Sequence, residues 1–318
     1  MSKAQDIKQY LKLLETIKKS RKEGNQMIPI TKGKQESAIK IVFYGPEGIG
    51  KSTIASQCPD PVFIDTEGST KQLDVARYPK PEYWKMILDE IEDALEERNC
   101  KTIVIDTADW AEQLCIQEVC SSHSVKGIED IGYGKGYVYV AEKFSELLRA
   151  CDKLVEVGIN VVFTAHAQMR KFEQPDEMGA YDRWEMKLSK KVAPLLKEWA
   201  DMVLFCNYKT TVITDSKTQS KKASGGKRVM YASHHPCWDA KNRFGLPEQM
   251  EMSFDQIAHI FTGIAVKEKE PDYRAKLREF MSDMSKKQKG EIVAKYNING
   301  STTNEQYKAI YHDLMGGN

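Results

Sequence analysis

Residues Gly45-Pro46-Glu47-Gly48-Ile49-Gly50-Lys51-Ser52 follow an apolar run, Ile39-Lys40-Ile41-Val42-Phe43-Tyr44, and this order constrains the fold more than any other feature of the chain. The spacing G-x-x-x-x-G-K-[ST] has meaning where a strand precedes it and a helix opens at its lysine. Glycines there let successive backbone N–H groups turn inward around a phosphate chain, and the helix start adds partial positive charge beneath it. In that geometry Lys51 reaches the β- and γ-phosphates and the Ser52 hydroxyl ligates Mg²⁺. The pattern predicts a nucleotide site made by Gly45, Pro46, Glu47, Gly48, Ile49, Gly50, Lys51, Ser52 and Thr53, with ATP and Mg²⁺ as its ligands.

The 318 residues allow one sizeable α/β core of about 200–250 residues with appendages. A net charge of +1 excludes a global polycation, so any nucleic-acid surface must be local. Seven cysteines without C-x-x-C spacing read as reduced thiols rather than a disulfide frame or a zinc site. The first 35 residues are too rich in lysine for a signal peptide, and no apolar run approaches ~18 residues. The expectation is a soluble, cytoplasmic protein with no membrane partner.

Three regions are expected: 1–36, 37–265 and 266–318. In the first, Lys and Arg outnumber Asp and Glu. Tyr10, Leu11, Leu13, Leu14 and Ile17 can form one stripe of a basic amphipathic helix, either packing on the core or acting as a DNA- or partner-binding arm. The second alternates strand runs (40–44, 61–65, 102–106, 160–164, 202–206) with helical periods. Trp84, Ile87, Leu88, Ile91 and Leu95 make one helical face; Val140, Phe144, Leu147, Leu148, Cys151, Leu154 and Val155 make another. Alternation of this kind predicts a mainly parallel sheet covered on both faces. Residues 210–214 and 228–233 read as a hairpin around a Lys/Ser/Gly-rich loop at 216–226, and the last region as two or three short helices.

A phosphate loop gives binding but not a reaction, so acidic groups near it matter. The second strand run ends Asp65-Thr66-Glu67-Gly68 and is expected beside the phosphate-loop strand, where open α/β sheets bind ligands. Glu67 could polarise a water for attack on the γ-phosphate; alternatively Asp65 and Glu67 form an ordinary acidic turn. The third, Thr102-Ile103-Val104-Ile105-Asp106, has the Walker B form, in which Asp106 positions Mg²⁺ through water. The fourth ends at Ala165-His166-Ala167-Gln168, where His166 is either a γ-phosphate contact or a structural histidine.

These elements resemble a known family. Phe63-Ile64-Asp65-Thr66-Glu67-Gly68 is similar to the RecA/RadA recombinase strand that carries the catalytic glutamate, and residues 102–107 resemble its Walker B strand. His166 stands where those proteins place a polar sensor, usually glutamine. Ala240-Lys241-Asn242-Arg243-Phe244-Gly245 resembles the K-x-R element of hexameric RecA-type helicases, whose cations reach a neighbouring subunit's phosphate. Tyr133-Gly134-Lys135-Gly136-Tyr137, with residues 195–205 and 241–247, looks most like the minimal RecA-like ATPases of bacteriophages, some of which anneal single strands. The resemblance covers residues 38–262. It implies a RecA-like P-loop core with a C-terminal hairpin extension and a helical tail. It also implies Lys51, Glu67, His166, Lys241 and Arg243 as catalytic residues, and a ring or filament of the chain itself. Single-stranded DNA and a single-strand binding protein would be partners, in a bacterial host carrying phage.

Two segments fall where such proteins place DNA-facing loops: 121–138, with Lys135 and Tyr137, and 168–191, with Arg170, Lys171, Arg183 and Trp184. Cations for phosphates beside flat rings for bases are what single-strand binding requires. A lid or subunit contact is the other reading of both segments, and the lysine-rich loop at 217–228 is a third DNA candidate. A replicative helicase-like motor or loader, and an ATP-dependent interaction module, are the alternatives to a recombination ATPase.

Overall fold

Strand β1 (Lys40–Gly45) has apolar side chains on both of its faces, and this double burial puts it mid-sheet. Val42 and Tyr44 enter one core, Ile41 and Phe43 the other. The computed structural model describes residues 32–33, 35–173, 179–214, 221–261, 266 and 271–316. The basic helix expected within 1–36 lies almost wholly outside them.

Four further strands run parallel to β1 with the same alternation: β2 (Pro61–Asp65), β4 (Thr102–Asp106), β5 (Asn160–Glu173) and β7 (Met202–Thr214). The two-residue β3 (Ala76–Arg77) completes the parallel edge beyond β2. The spatial order is β7-β1-β5-β4-β2-β3. The second strand is therefore not beside β1, as the sequence led us to expect: β5 and β4 intervene. Each follows a helical crossover, and right-handed parallel connections need not place sequential strands side by side.

One face of the sheet carries helices α2 (Trp84–Glu97), α3 (Ala108–Ser122), α4 (Lys135–Glu156) and α5 (Val192–Trp199). The other carries the short α1 (Lys51–Ala55) with Ile257 and Leu246. The predicted apolar stripes of α2 and α4 face the core, with Trp84 against Phe144 at 6.1 Å between ring centroids.

The antiparallel parts differ from expectation in extent. Strand β5 does not end near residue 164. It continues to Glu173 and pairs with β6 (Ala180–Met186), so most of the segment expected to be a loop at 168–191 is a hairpin. Likewise β7 runs without a break through 206–210, with a bulge at Lys209/Thr210, and β8 (Lys221–Tyr231) returns beside it. Of the loop expected at 216–226, residues 221–226 belong to β8 and the rest lie outside the described residues. Strand β9 (Lys241–Asn242) pairs with the start of β7 and β10 (Gln249–Glu251) with β8, which makes the sheet mixed parallel and antiparallel.

Of the last three helices, α6 (Tyr273–Phe280), α7 (Lys286–Lys295) and α8 (Asn304–Gly316), the first and third share a small core around Tyr273, Leu277, Tyr307 and Ile310, and Tyr296, just past α7, packs against it. Asp272 and Ser285 cap the first two, accepting amides of Ala275 and Gln288. No helix among the described residues is long and apolar enough to cross a membrane. Six of the seven cysteines are buried and none is bonded to another.

Glu90 breaks the pattern on α2. It is 6% exposed, and neither carboxylate oxygen has a hydrogen-bond partner. Burial pushes its pKa up to about 8. The folded chain then holds a proton that the unfolded chain releases above its ordinary carboxylate pKa. Stability is therefore expected to fall as pH rises from about 4.5 to about 8, by up to ~1.4 kcal/mol per pH unit. Glu90→Gln should raise the melting temperature at pH 8 and flatten that slope, as read by thermal denaturation across the range.

Candidate active site

The carboxyl ends of five parallel strands, β1, β2, β4, β5 and β7, meet at one edge. Register sets Gly45 opposite His166 and Asp65 opposite Asp106, and Tyr44 opposite Phe205. Gly45 has no room for a side chain, because a Cβ there would lie 2.1 Å from the Cys206 carbonyl oxygen on β7. Gly48 and Gly50 have φ of +69° and +108°, left-handed values that bend the loop over α1. As the spacing predicted, helix α1 opens at Lys51.

Lys51 is buried, and its ammonium donates to the carbonyls of Gly45 (3.1 Å) and Pro46 (3.0 Å). Burial lowers its pKa, with Asp106, Asp109 and Glu67 pulling the other way. Asp106 is 0% exposed. One of its oxygens takes a hydrogen bond from the Thr164 hydroxyl on β5, while Oδ2 has no partner. Burial raises its pKa; the hydroxyls of Thr164 and Ser52 oppose that. An orphaned carboxylate oxygen beside the Ser52 hydroxyl fits a hydrated Mg²⁺, which Ser52 would ligate directly and Asp106 through water.

The end of β2 is stitched to the end of β4. Thr66 donates its amide to the Asp106 carbonyl (2.9 Å), and its hydroxyl both donates to the Thr107 carbonyl and accepts the Thr107 amide, each at 2.8 Å. The two acids of the turn then part company. Asp65 accepts the amides of Gly68 (2.7 Å), Ser69 (3.2 Å) and Thr70 (2.9 Å) and the Thr70 hydroxyl (2.6 Å). Burial works against its charge, yet those four bonds hold its carboxyl below the usual range. Asp65 is the structural residue of the turn.

Glu67 is half-buried, and its carboxyl is pushed up by burial and by Asp106 and Asp109, against His166 and Lys51. A carboxylate with raised proton affinity amid these groups is suited to accept a proton from water. His166 is 8% exposed and held twice by Asp109 on the first turn of α3, through its amide (2.9 Å) and through Nδ1 (2.8 Å). Burial penalises the Asp109 charge, but the bonds from His166 keep its carboxyl below the ordinary value. With Nδ1 occupied by Asp109, the ring offers Nε2 to a ligand.

A family model described as an AAA domain matches residues 37–244. The chain belongs to the AAA-domain family. No curated protein matches it. Its phosphate loop is that of a P-loop NTPase, with the parts needed to bind and hydrolyse ATP.

Other residues of this AAA domain stand differently from the sequence expectation. Arg183 is 7% exposed, bonded to Asp239 (2.5 Å) and stacked over Phe172 at 5.0 Å. Trp184 packs at 6.0 Å from Phe205, next to Trp238. Arg183 is thereby committed to an interior ion pair, which takes its charge away from DNA, whereas Trp184 is half-buried against the aromatic cluster. Lys135 is exposed at the start of α4, whereas Tyr137 is half-buried and bonded to Glu129 at 2.9 Å. Arg170 and Lys171 lie on the β5–β6 hairpin, Lys171 exposed and Arg170 3.9 Å from Glu185.

Lys241 and Arg243 sit together at the opposite edge of the sheet, beside the start of β7. Lys241 donates to the carbonyls of Lys197 (3.2 Å), Glu198 (2.8 Å) and Ala200 (2.5 Å), closing the carboxyl end of α5. Arg243 pairs with Asp201 at 2.8 Å while its side chain stays 59% exposed. The resemblance to a K-x-R element implies a neighbour's phosphate for both cations, whereas here Lys241 is held by a helix end and Arg243 by a carboxylate.

Three residues escaped the sequence reading: Asp109, Glu112 and Thr164. Glu112 is buried on α3 and accepts the Ser189 amide at both oxygens (3.2 and 3.0 Å). The signal available for Asp109 was an acid three residues after the Walker B aspartate.

Separate roles for the two acids of the turn have separate consequences. Glu67→Gln should leave the melting temperature in place and cut kcat by roughly 10²–10⁴. Asp65→Ala should instead cost stability, on the order of 1–3 kcal/mol for the donors left unpaired. Lys51→Ala should abolish ATP turnover. Parallel measurement of turnover and thermal unfolding distinguishes the three; loss of turnover without loss of stability in Asp65→Ala would reverse the assignment.

Proposed function

We propose that this AAA domain is a Mg²⁺-dependent ATPase that binds single-stranded DNA, assembles with copies of itself, and acts in strand annealing or recombination. The observation that carries the reading is a cleft of about 560 Å³ between α3, the start of α4 and the β5–β6 hairpin. Arg170, Lys187, Lys190 and Lys191 line it, with Tyr137 and Gln168. Four cations and a ring in one cleft match the needs of a sugar-phosphate strand with stacked bases. Arg183 and Trp184 are replaced in this reading by the lysines that follow the hairpin.

The cleft is tied to the nucleotide site through one backbone bond and one carboxylate. The Lys187 amide donates to the His166 carbonyl (2.8 Å), and the Ser189 amide is held by Glu112, one turn along α3 from Asp109. In the reaction, Lys51 binds the β- and γ-phosphates, Ser52 and Asp106 hold Mg²⁺, and Glu67 takes the proton of the attacking water. His166 meets the γ-phosphate. The metal, when bound, supplies charge neutralisation at the phosphates.

Binding of a fluorescent oligonucleotide, followed by anisotropy, tests the DNA reading. Tyr137→Ala should weaken it by ~1–3 kcal/mol. Paired Lys187→Ala/Lys190→Ala should lower the slope of log affinity against log salt by about 1.4, the share of two phosphate contacts on a single strand. Wild type that binds no single strand at low salt would end the recombination reading.

Assembly has its own test. With Lys241 used as a helix cap, Arg243 is the member of the pair whose side chain is 59% exposed, and its bond to Asp201 would be exchanged for a neighbour's phosphate. Arg243→Ala should then bind ATP but hydrolyse it slowly, and mixing it with Lys51→Ala subunits should restore part of the turnover. Co-assembled mixtures that recover nothing at any ratio would exclude a contribution in trans.

A further inference from the structure

The ribbon formed by β7 and β8 does not stop where β1 stops. Tyr44 is the last β1 residue in register with β7, opposite Phe205, and β7 continues to Thr214. Cys206 pairs with Met230 and Tyr208 with Arg228, so Arg228 lies one full period beyond Met230 toward the hairpin's far end. Period two puts Arg228 on the face of Met230 and Cys206, the face that packs Ile49 of the phosphate loop and Ile54 of α1. The side chain reaches the loop itself: Nη1 stands 3.2 Å from where a Cβ on Gly50 would be, with Met252 Cε at 3.9 Å. The Met252 amide donates to the Arg228 carbonyl at 3.1 Å and fixes this part of the strand.

Arg228 is exposed, and among the described residues its guanidinium has no ion pair or hydrogen bond. Other arginines of the domain are engaged: Arg77 by the carbonyls of Thr70 and Leu73, Arg183 by Asp239, Arg243 by Asp201. An exposed arginine needs no partner in water, so position decides the matter. The side chains gathered at the site are acidic: Asp65, Glu67, Asp106 and Asp109 against Lys51 and His166. A nucleoside triphosphate adds further negative charge to that edge. One buried ammonium and a divalent cation leave the phosphate chain short of positive charge.

We propose that Arg228 is a second phosphate-binding cation of the nucleotide site, delivered by the same chain that carries the phosphate loop. The proposal rests on the reading of residues 45–53 as the ATP site. A planar guanidinium suits it, since its paired N–H donors match two oxygens of a phosphate. The site then has a cation at each side of the loop, Lys51 within and Arg228 over Gly50. No neighbouring subunit is needed for this contact, and none of the residues assigned to the DNA cleft takes part in it.

Titration of the full-length protein with a non-hydrolysable ATP analogue and Mg²⁺, without DNA, tests this. Arg228→Gln should weaken binding about tenfold, as loss of a charged hydrogen bond does. Its log affinity should also depend less steeply on log salt, and its melting temperature should match wild type. Arg228→Lys should regain part of the loss through charge alone. A Gln variant within about threefold of wild type, with Lys51→Ala binding poorly in the same assay, overturns the proposal and leaves the ATP site standing. Lys51→Ala binding as tightly as wild type would remove the ATP-site reading itself. An Arg228→Gln that loses single-strand binding while keeping the analogue's affinity would also overturn the proposal, assigning the cation to nucleic acid.

Discussion

Much of this domain is arranged around a carboxylate that cannot be satisfied by the protein alone. Asp106 is fully buried, and only one of its oxygens is bonded, to Thr164. An unpaired buried carboxylate is costly, and burial accordingly raises its proton affinity. The cost is accepted where a cation is to be bound, because the same orphaned oxygen becomes an asset once positive charge arrives. Lys51 shows the complementary condition. Its ammonium is parked on two loop carbonyls, bonds weak enough to exchange for phosphate oxygens.

Around that carboxylate the protein separates holding from reacting. Asp65 spends four bonds on the turn after β2, and the Thr66–Thr107 exchange ties that turn to β4. Glu67 is thereby carried to the site on a rigid base while keeping its own oxygens for solvent or substrate. Asp109 performs the same service for His166. Glu67 and His166 each have a neighbouring acid whose hydrogen bonds fix the backbone or ring beside them.

The sequence was most readable where burial is two-sided. Runs such as Ile103-Val104-Ile105 have one structural solution, and β2 and β4 fall on the residues expected. Helix α3 was missed for the opposite reason. Its buried face includes the acids Asp109 and Glu112 while Trp110 lies on the exposed one, so no clean apolar stripe marks it. Charged residues were the least readable. Arg183, Lys135 and Lys241 are alike in sequence as cations in polar segments, yet one is an interior ion pair, one is solvated and one closes a helix. What separates them is a partner distant in the chain, and a single sequence does not pair residues 183 and 239.

The burial of the cysteines has a practical side. Five of the six interior thiols have their ionisation suppressed by burial, to about 11 in Cys100 and about 12 in Cys58 and Cys206, and higher in Cys115 and Cys151. The thiolate is the species that alkylates and oxidises, so these sulfurs are chemically silent at neutral pH. Cys237 is the half-buried exception, and its carbonyl holds the Trp184 amide at 2.7 Å, at the foot of the hairpin that borders the basic cleft. A maleimide dye placed on the unmodified chain would therefore attach beside that hairpin, giving a built-in optical reporter without engineering a residue.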